Sequence, residues 1–149
     1  MTLRVHDIIE QAATIERGAS IQEAISQIRI TGSDKLYLVD SANRPSGVVS
    51  DFTLLKAVLR GESCQMAIDC LAAPIADILT PEQPLEQVAL FFRCGYRTQM
   101  AVISDGRLLG IVRRTQLLFA LEDAFESHDL LEPAAVPYPS LPQETRLIG

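Results

Sequence analysis

Apolar residues Ile21, Ala24, Ile25 and Ile28 fall at the i, i+3, i+4, i+7 spacing of one helix face. Leu85, Val88, Ala89 and Phe92 repeat that face 64 residues later. Upstream of each face lies a short strand-like segment, "ATI" (13–15) and "DIL" (77–79). Downstream, β-rich "LYLVD" (36–40) matches "MAVIS" (100–104) at the same shift. Polar turns follow, "SANRPSG" (41–47) and the one-residue-shorter "DGRLLG" (105–110). Each half then closes on a strand-to-helix junction, "GVVSDFTLL" (47–55) or "GIVRRTQLL" (110–118). The pattern predicts one order twice: strand, helix, strand, turn, strand, helix.

Local chemistry agrees with this duplication. Ser20 and Glu23 make an S-x-x-E capping box before the first helix, and Pro84 stands at the equivalent helix start. Asn43, Pro45 and Gly47 mark one hairpin turn, Asp105-Gly106 the other. Leu3, Ile8, Ile9 and Ala12 suggest a short amphipathic helix in 1–12, and the Ala-rich linker 60–75 is expected to be partly helical. The repeats occupy 13–59 and 76–122. In 123–149 the last helix, starting near Thr115, runs on through "LEDAFESHDLLE" into a tail punctuated by Pro133, Pro137, Pro139 and Pro142. That tail is either a plain terminus or a docking segment.

Composition narrows the function classes. At 149 residues, 48% hydrophobic and 21% charged, the chain has the balance of a globular domain. No apolar run reaches the ~18 residues of a membrane helix, and the N-terminus lacks a signal peptide's apolar core. A cytoplasmic protein without membrane insertion is the expectation. Net charge −6 disfavours nucleic acid. Cys64, Cys70 and Cys94 form no CxxC pair, and His6 and His128 lie far apart, so neither a metal site nor a disulfide framework is expected. No nucleophile–base pair or Walker loop stands out, so no enzyme is expected.

The tandem β-α-β-β-α unit, the "LYLVD"-turn-"GVV" hairpin and the "GVVSDFTLL" junction resemble the cystathionine-β-synthase (CBS) domain family, whose tandem pair is called a Bateman module. The resemblance spans about 5–122. It implies an α+β fold, a CBS-domain pair with two repeats packed about a pseudo-twofold axis, leaving two clefts. It further implies adenosine-containing ligands such as AMP, ADP, ATP or S-adenosylmethionine, and a homodimer paired through helices. In the family motif G-h-h-[ST]-x-x-D, the hydroxyl faces phosphates and the Asp holds the ribose diol. Ser50 and Thr53 take those positions in the first half, Arg113 and Gln116 in the second. Neither half keeps the full pair.

These departures have physical consequences. Ser50 has a sufficient role as a helix cap without any ligand, and Thr53 lacks the carboxylate that grips a diol. Lys35 and Tyr37 share a strand face and either line the first cleft or face solvent. From Pro84 to Leu118 five arginines (93, 97, 107, 113, 114) oppose Glu86 and Asp105, a local +3. Arg113 and Arg114 open a helix, where cations are disfavoured by a few tenths of a kcal/mol each, roughly. Beside open N–H groups they suit an anion, with Arg97 nearby in sequence; otherwise they reach water or pair with the acids of "LEDAFE". Two functions follow. One is a non-catalytic regulatory module that senses a small ligand, an adenosine nucleotide or other phosphate-bearing anion, on behalf of an unknown regulated protein. The alternative is a dimerisation and interaction module with degenerate sites.

Overall fold

The computed structural model describes residues 3–93 and 97–128, the last four by backbone alone. Cys94, Asp129–Glu132 and the Pro-rich tail lie outside the described residues. A first compact unit ends at Leu117, and it contains both sheets.

In the first half, β1 (Thr14–Glu16), α1 (Ile21–Thr31), β2 (Lys35–Val39), β3 (Pro45–Ser50) and α2 (Asp51–Leu59) follow in order. β2 is central, parallel to β1 and antiparallel to β3. α1 begins at the capping box, where Ser20 and Glu23 exchange backbone N–H bonds of 3.1 and 2.9 Å. It stops at Gly32, whose positive φ of 69° forms a left-handed cap with its N–H on the Ile28 carbonyl. In the second half come α3 (Leu85–Phe91), β4 (Gln99–Ser104), β5 (Arg107–Arg113) and α4 (Arg114–His128).

The strand expected at 77–79 is a single parallel bridge, Leu79 to Val102. Asp77 has φ 58°, which breaks extended geometry on one side, and Pro81 offers no N–H on the other. The amphipathic helix expected in 1–12 is, among the described residues, one 3-10 turn, Val5–Asp7, and the linker expected to be partly helical carries another, Ile68–Leu71. Helices this short are marginal by themselves, and these backbones find partners in the opposite half instead. Glu10 bridges Ile111 while Ala73 bridges Val48; Arg4 bridges Pro84 while Ala67 bridges Ser20. The exchange obeys the internal twofold: each lead-in pairs with the other half's last strand and first helix start.

β2 explains how one apolar run serves two cores. Successive strand side chains point to opposite faces. Leu36 and Leu38 pack with Ile21, Ala24, Val49 and Leu54 under the helices. Tyr37 and Val39 point the other way and meet Ala101, Leu108 and Ile111 of the second half. The Asn43 turn adds a polar clasp: its amide donates to the Leu108 carbonyl at 2.6 Å and its own carbonyl accepts the Leu108 N–H at 3.0 Å. Both faces of β2 are therefore buried, and the junctions before α2 and α4 are left at the margins of this core.

Candidate functional site

The two junctions are built alike. Asp51 N–H bonds the Asp34 carbonyl at 2.9 Å, and Arg114 N–H bonds the Thr98 carbonyl at 2.9 Å. Each bond seats a helix start against the loop preceding β2 or β4. A shallow cleft of about 320 Å³ lies at the second junction, near the lower end of ligand pockets, ~300–1,000 Å³. Its walls are the 32–34 turn of the first half, Thr98 and Gln99 of the second, and Arg113, Arg114 and Thr115 at the start of α4. Both halves thus contribute to one cleft.

The sequence candidates separate into four places. Ser50 caps α2: its hydroxyl accepts the Thr53 N–H at 3.2 Å, and the two hydroxyls stand 3.1 Å apart. The two hydroxyls thus share one hydrogen bond. Lys35 is their cross-strand neighbour, opposite Ser50 in register. Tyr37 is not on a cleft wall. It is 3% exposed in the layer between the sheets, with its hydroxyl accepting from the Gln99 amide at 3.1 Å. Burial pushes its phenol above the ordinary value, and the Gln99 hydrogen bond draws it partly back.

Arg97 stands on Asp77 at 2.5 Å and donates to the Phe91 carbonyl at 2.8 Å, so it braces the second half's lead-in. Arg113 and Gln116 come together on one side chain that sequence reasoning passed over. Arg113 Nε meets Glu10 Oε1 at 2.8 Å, and the Gln116 amide hydrogen-bonds Glu10 Oε2. Glu10 is 103 positions before Arg113 in the chain, and only the exchanged lead-in brings it here. The internal repeat matches this lead-in to the 60–75 linker but carries no signal of which strand either one meets. Ser33, Asp34, Thr98 and Gln99 were missed for a similar reason: residues at the start of β2 and β4 acquire a cleft only when two halves meet.

A second hollow of about 470 Å³ surrounds the β1–α1 turn and gathers none of the sequence candidates. Among the described residues no group of three or more His, Cys, Asp or Glu side chains is placed to hold a metal. Among them, too, no helix is long and apolar enough to cross a membrane.

Known proteins repeat this architecture. A Vibrio cholerae protein provisionally named for acetoin utilization superposes with TM-score 0.75 at 17% identity, over 89% of this chain and 100% of that one. The CBS domain pair of MJ0100, solved with 5′-methylthioadenosine and S-adenosyl-L-methionine, gives 0.68 at 19%, over 83% and 99%. A Pyrobaculum aerophilum CBS domain protein complexed with AMP gives 0.68 at 18%, over 81% and 99%. No curated protein matches the sequence. The CBS domain profile matches twice, at 5–60 and 74–123. With two matched repeats, the fold they predict and neighbours built the same way, the chain belongs to the CBS domain family.

Proposed function

We propose that this chain is a non-catalytic regulatory module of the cytoplasm that binds a small adenosine-containing ligand at the second junction. Phosphate-bearing nucleotides (AMP, ADP, ATP) fit it better than S-adenosylmethionine. The observation that carries this reading is the cleft between the repeats 13–59 and 76–122, with Arg113 and Arg114 on its wall at a helix start. Guanidinium groups at a helix start complement a phosphate. The adenosine compounds held by two structural neighbours support the ligand class. Binding regulates a partner protein only insofar as the ligand prefers one of two states of the module.

Thermal unfolding against AMP, ADP, ATP, S-adenosylmethionine and inorganic phosphate tests the proposal. A ligand at 100 times its Kd stabilises by about 2.7 kcal/mol, a midpoint rise of roughly 5–10 °C for a domain of this size. The rise is expected to vanish in an Arg113→Ala/Arg114→Ala double variant. No shift with any of the five overturns it.

A second reading has its own support. α2 exposes Phe52 (62%), Leu55 (53%) and Leu59 (76%) along one face, and the Ser50 and Thr53 hydroxyls hydrogen-bond each other. Such a face suits a homodimer contact. Light scattering that gives a monomer mass at every concentration would remove this reading; a dimer split by Leu55→Asp would uphold it.

A further inference from the structure

One of the cleft's two arginines is paired by a residue outside its walls. Arg113 is half-exposed, and its Nε is held at 2.8 Å by the Glu10 carboxylate. The other Glu10 oxygen takes the Gln116 amide. One carboxylate therefore occupies two groups at the start of α4 that an incoming anion would seek, in the bidentate manner of a bound ligand. Its backbone is fixed independently of those contacts: Glu10 N–H bonds the Ile111 carbonyl at 2.9 Å, and Ile111 N–H returns to Glu10 at 2.8 Å. Gly110 leaves room for that close approach, since a Cβ there would press on Ile9 and on the Glu10 carbonyl.

We propose that Glu10 is an internal competitor for the second junction, a carboxylate that an anionic ligand must displace from Arg113 and Gln116 before it binds. The inference rests on the ligand-sensing reading above. The side chain can leave without unpairing the lead-in, because the two backbone bonds to Ile111 do not involve it. Displacement exchanges one carboxylate for another anion at the same guanidinium, so the protein's own anion raises the concentration at which the module responds. A half-exposed ion pair is a weak lock, which suits a contact that must yield to a ligand.

The experiment is calorimetric titration of AMP, with uncharged adenosine as control, into wild type, Glu10→Gln and Glu10→Asp. Glu10→Gln keeps a polar side chain of the same length, and Glu10→Asp withdraws the carboxylate by one methylene. Each variant is first required to show a single cooperative urea transition, and if one does not fold the other is read. The expected result is AMP binding tightened about tenfold in Glu10→Gln (roughly 1.4 kcal/mol), less in Glu10→Asp, with adenosine unchanged. Combining Glu10→Gln with Arg113→Gln is expected to erase the gain. If AMP binds wild type and Glu10→Gln equally, or binds the variant more weakly, Glu10 is a structural brace; the inference falls while the sensor stands. If AMP, and ADP and ATP titrated in its place, bind neither protein, both fall together.

Discussion

Two glycines at equivalent positions of the repeats face very different neighbours. A Cβ at Gly47 would stand 3.0 Å from the Ala73 carbonyl oxygen and 3.1 Å from the Ala72 Cβ, a tight contact that asks those neighbours to give by only a few tenths of an ångström. At Gly110 it would lie 2.9 Å from Ile9 Cγ1 and closer still to the Glu10 carbonyl oxygen. That oxygen is backbone, so no rotamer change relieves the collision. Gly110→Ala must push the lead-in off β5. Such overpacking costs about 1–3 kcal/mol, and the two bonds between Glu10 and Ile111 are worth roughly 1 kcal/mol each. A loss of about 3 kcal/mol, the lower end of that sum, is expected. Gly47→Ala is expected within about 1 kcal/mol of wild type, because the entropy lost from the unfolded chain offsets part of the strain. With a urea m-value of about 2 kcal/mol/M, Gly110→Ala moves the midpoint down by roughly 1.5 M and Gly47→Ala by at most about 0.5 M. Equilibrium urea unfolding followed by circular dichroism reads both. Equal shifts, or a near-wild-type Gly110→Ala, would refute the exchanged lead-in as a stabilising element.

Tyr37→Phe strands the Gln99 amide between the sheets and is expected to cost roughly 1–3 kcal/mol; adding Gln99→Leu should recover part of it in thermal melts, and no recovery would contradict the pairing. The Tyr37 phenol should ionise above its ordinary value of 10.0, chiefly because of burial. A raised folded pKa gives stability that is whole below the unfolded value and lost as pH rises through the folded one, so absorbance at 295 nm should show this phenol ionising later than in the unfolded chain. Glu23 is held below its ordinary 4.5, first by the Ser20 backbone hydrogen bond and then by the Ser20 hydroxyl. Its contribution is present above the unfolded value and fades as pH falls through the depressed one, so Glu23→Gln should flatten the acid limb of a stability–pH curve. Ser20→Ala removes the other half of that box and should cost about 1 kcal/mol, read by urea unfolding at neutral pH.

Periodicity, capping residues and turn chemistry are local properties, and they made most of the fold legible. The apolar face led by Ile21 and Ala24, the Ser20–Glu23 box and the two hairpins needed only neighbours a few positions apart. The 64-residue echo of the first half extended that legibility to the whole pair. Ser50 as a cap was also readable, since its partner is three residues on. The segment at 77–79 misled because the triplet Asp-Ile-Leu says nothing of the φ that Asp77 adopts.

What the tertiary structure decided is where distant segments meet. Leu3, Ile8, Ile9 and Ala12 have helical spacing, yet hydrogen bonds from the opposite half outweigh the small intrinsic stability of a single helical turn. Tyr37 shares a strand face with Lys35, a fact of sequence, but only the second sheet determines that this face is buried. Arg113 and Arg114 announced a basic helix start; Glu10, far away along the chain, answers Arg113. A residue's charge is written locally, whereas the charge of a cleft is a sum over whatever the fold brings within a few ångströms. This is why the repeat could be read from the sequence alone and the state of its second junction could not.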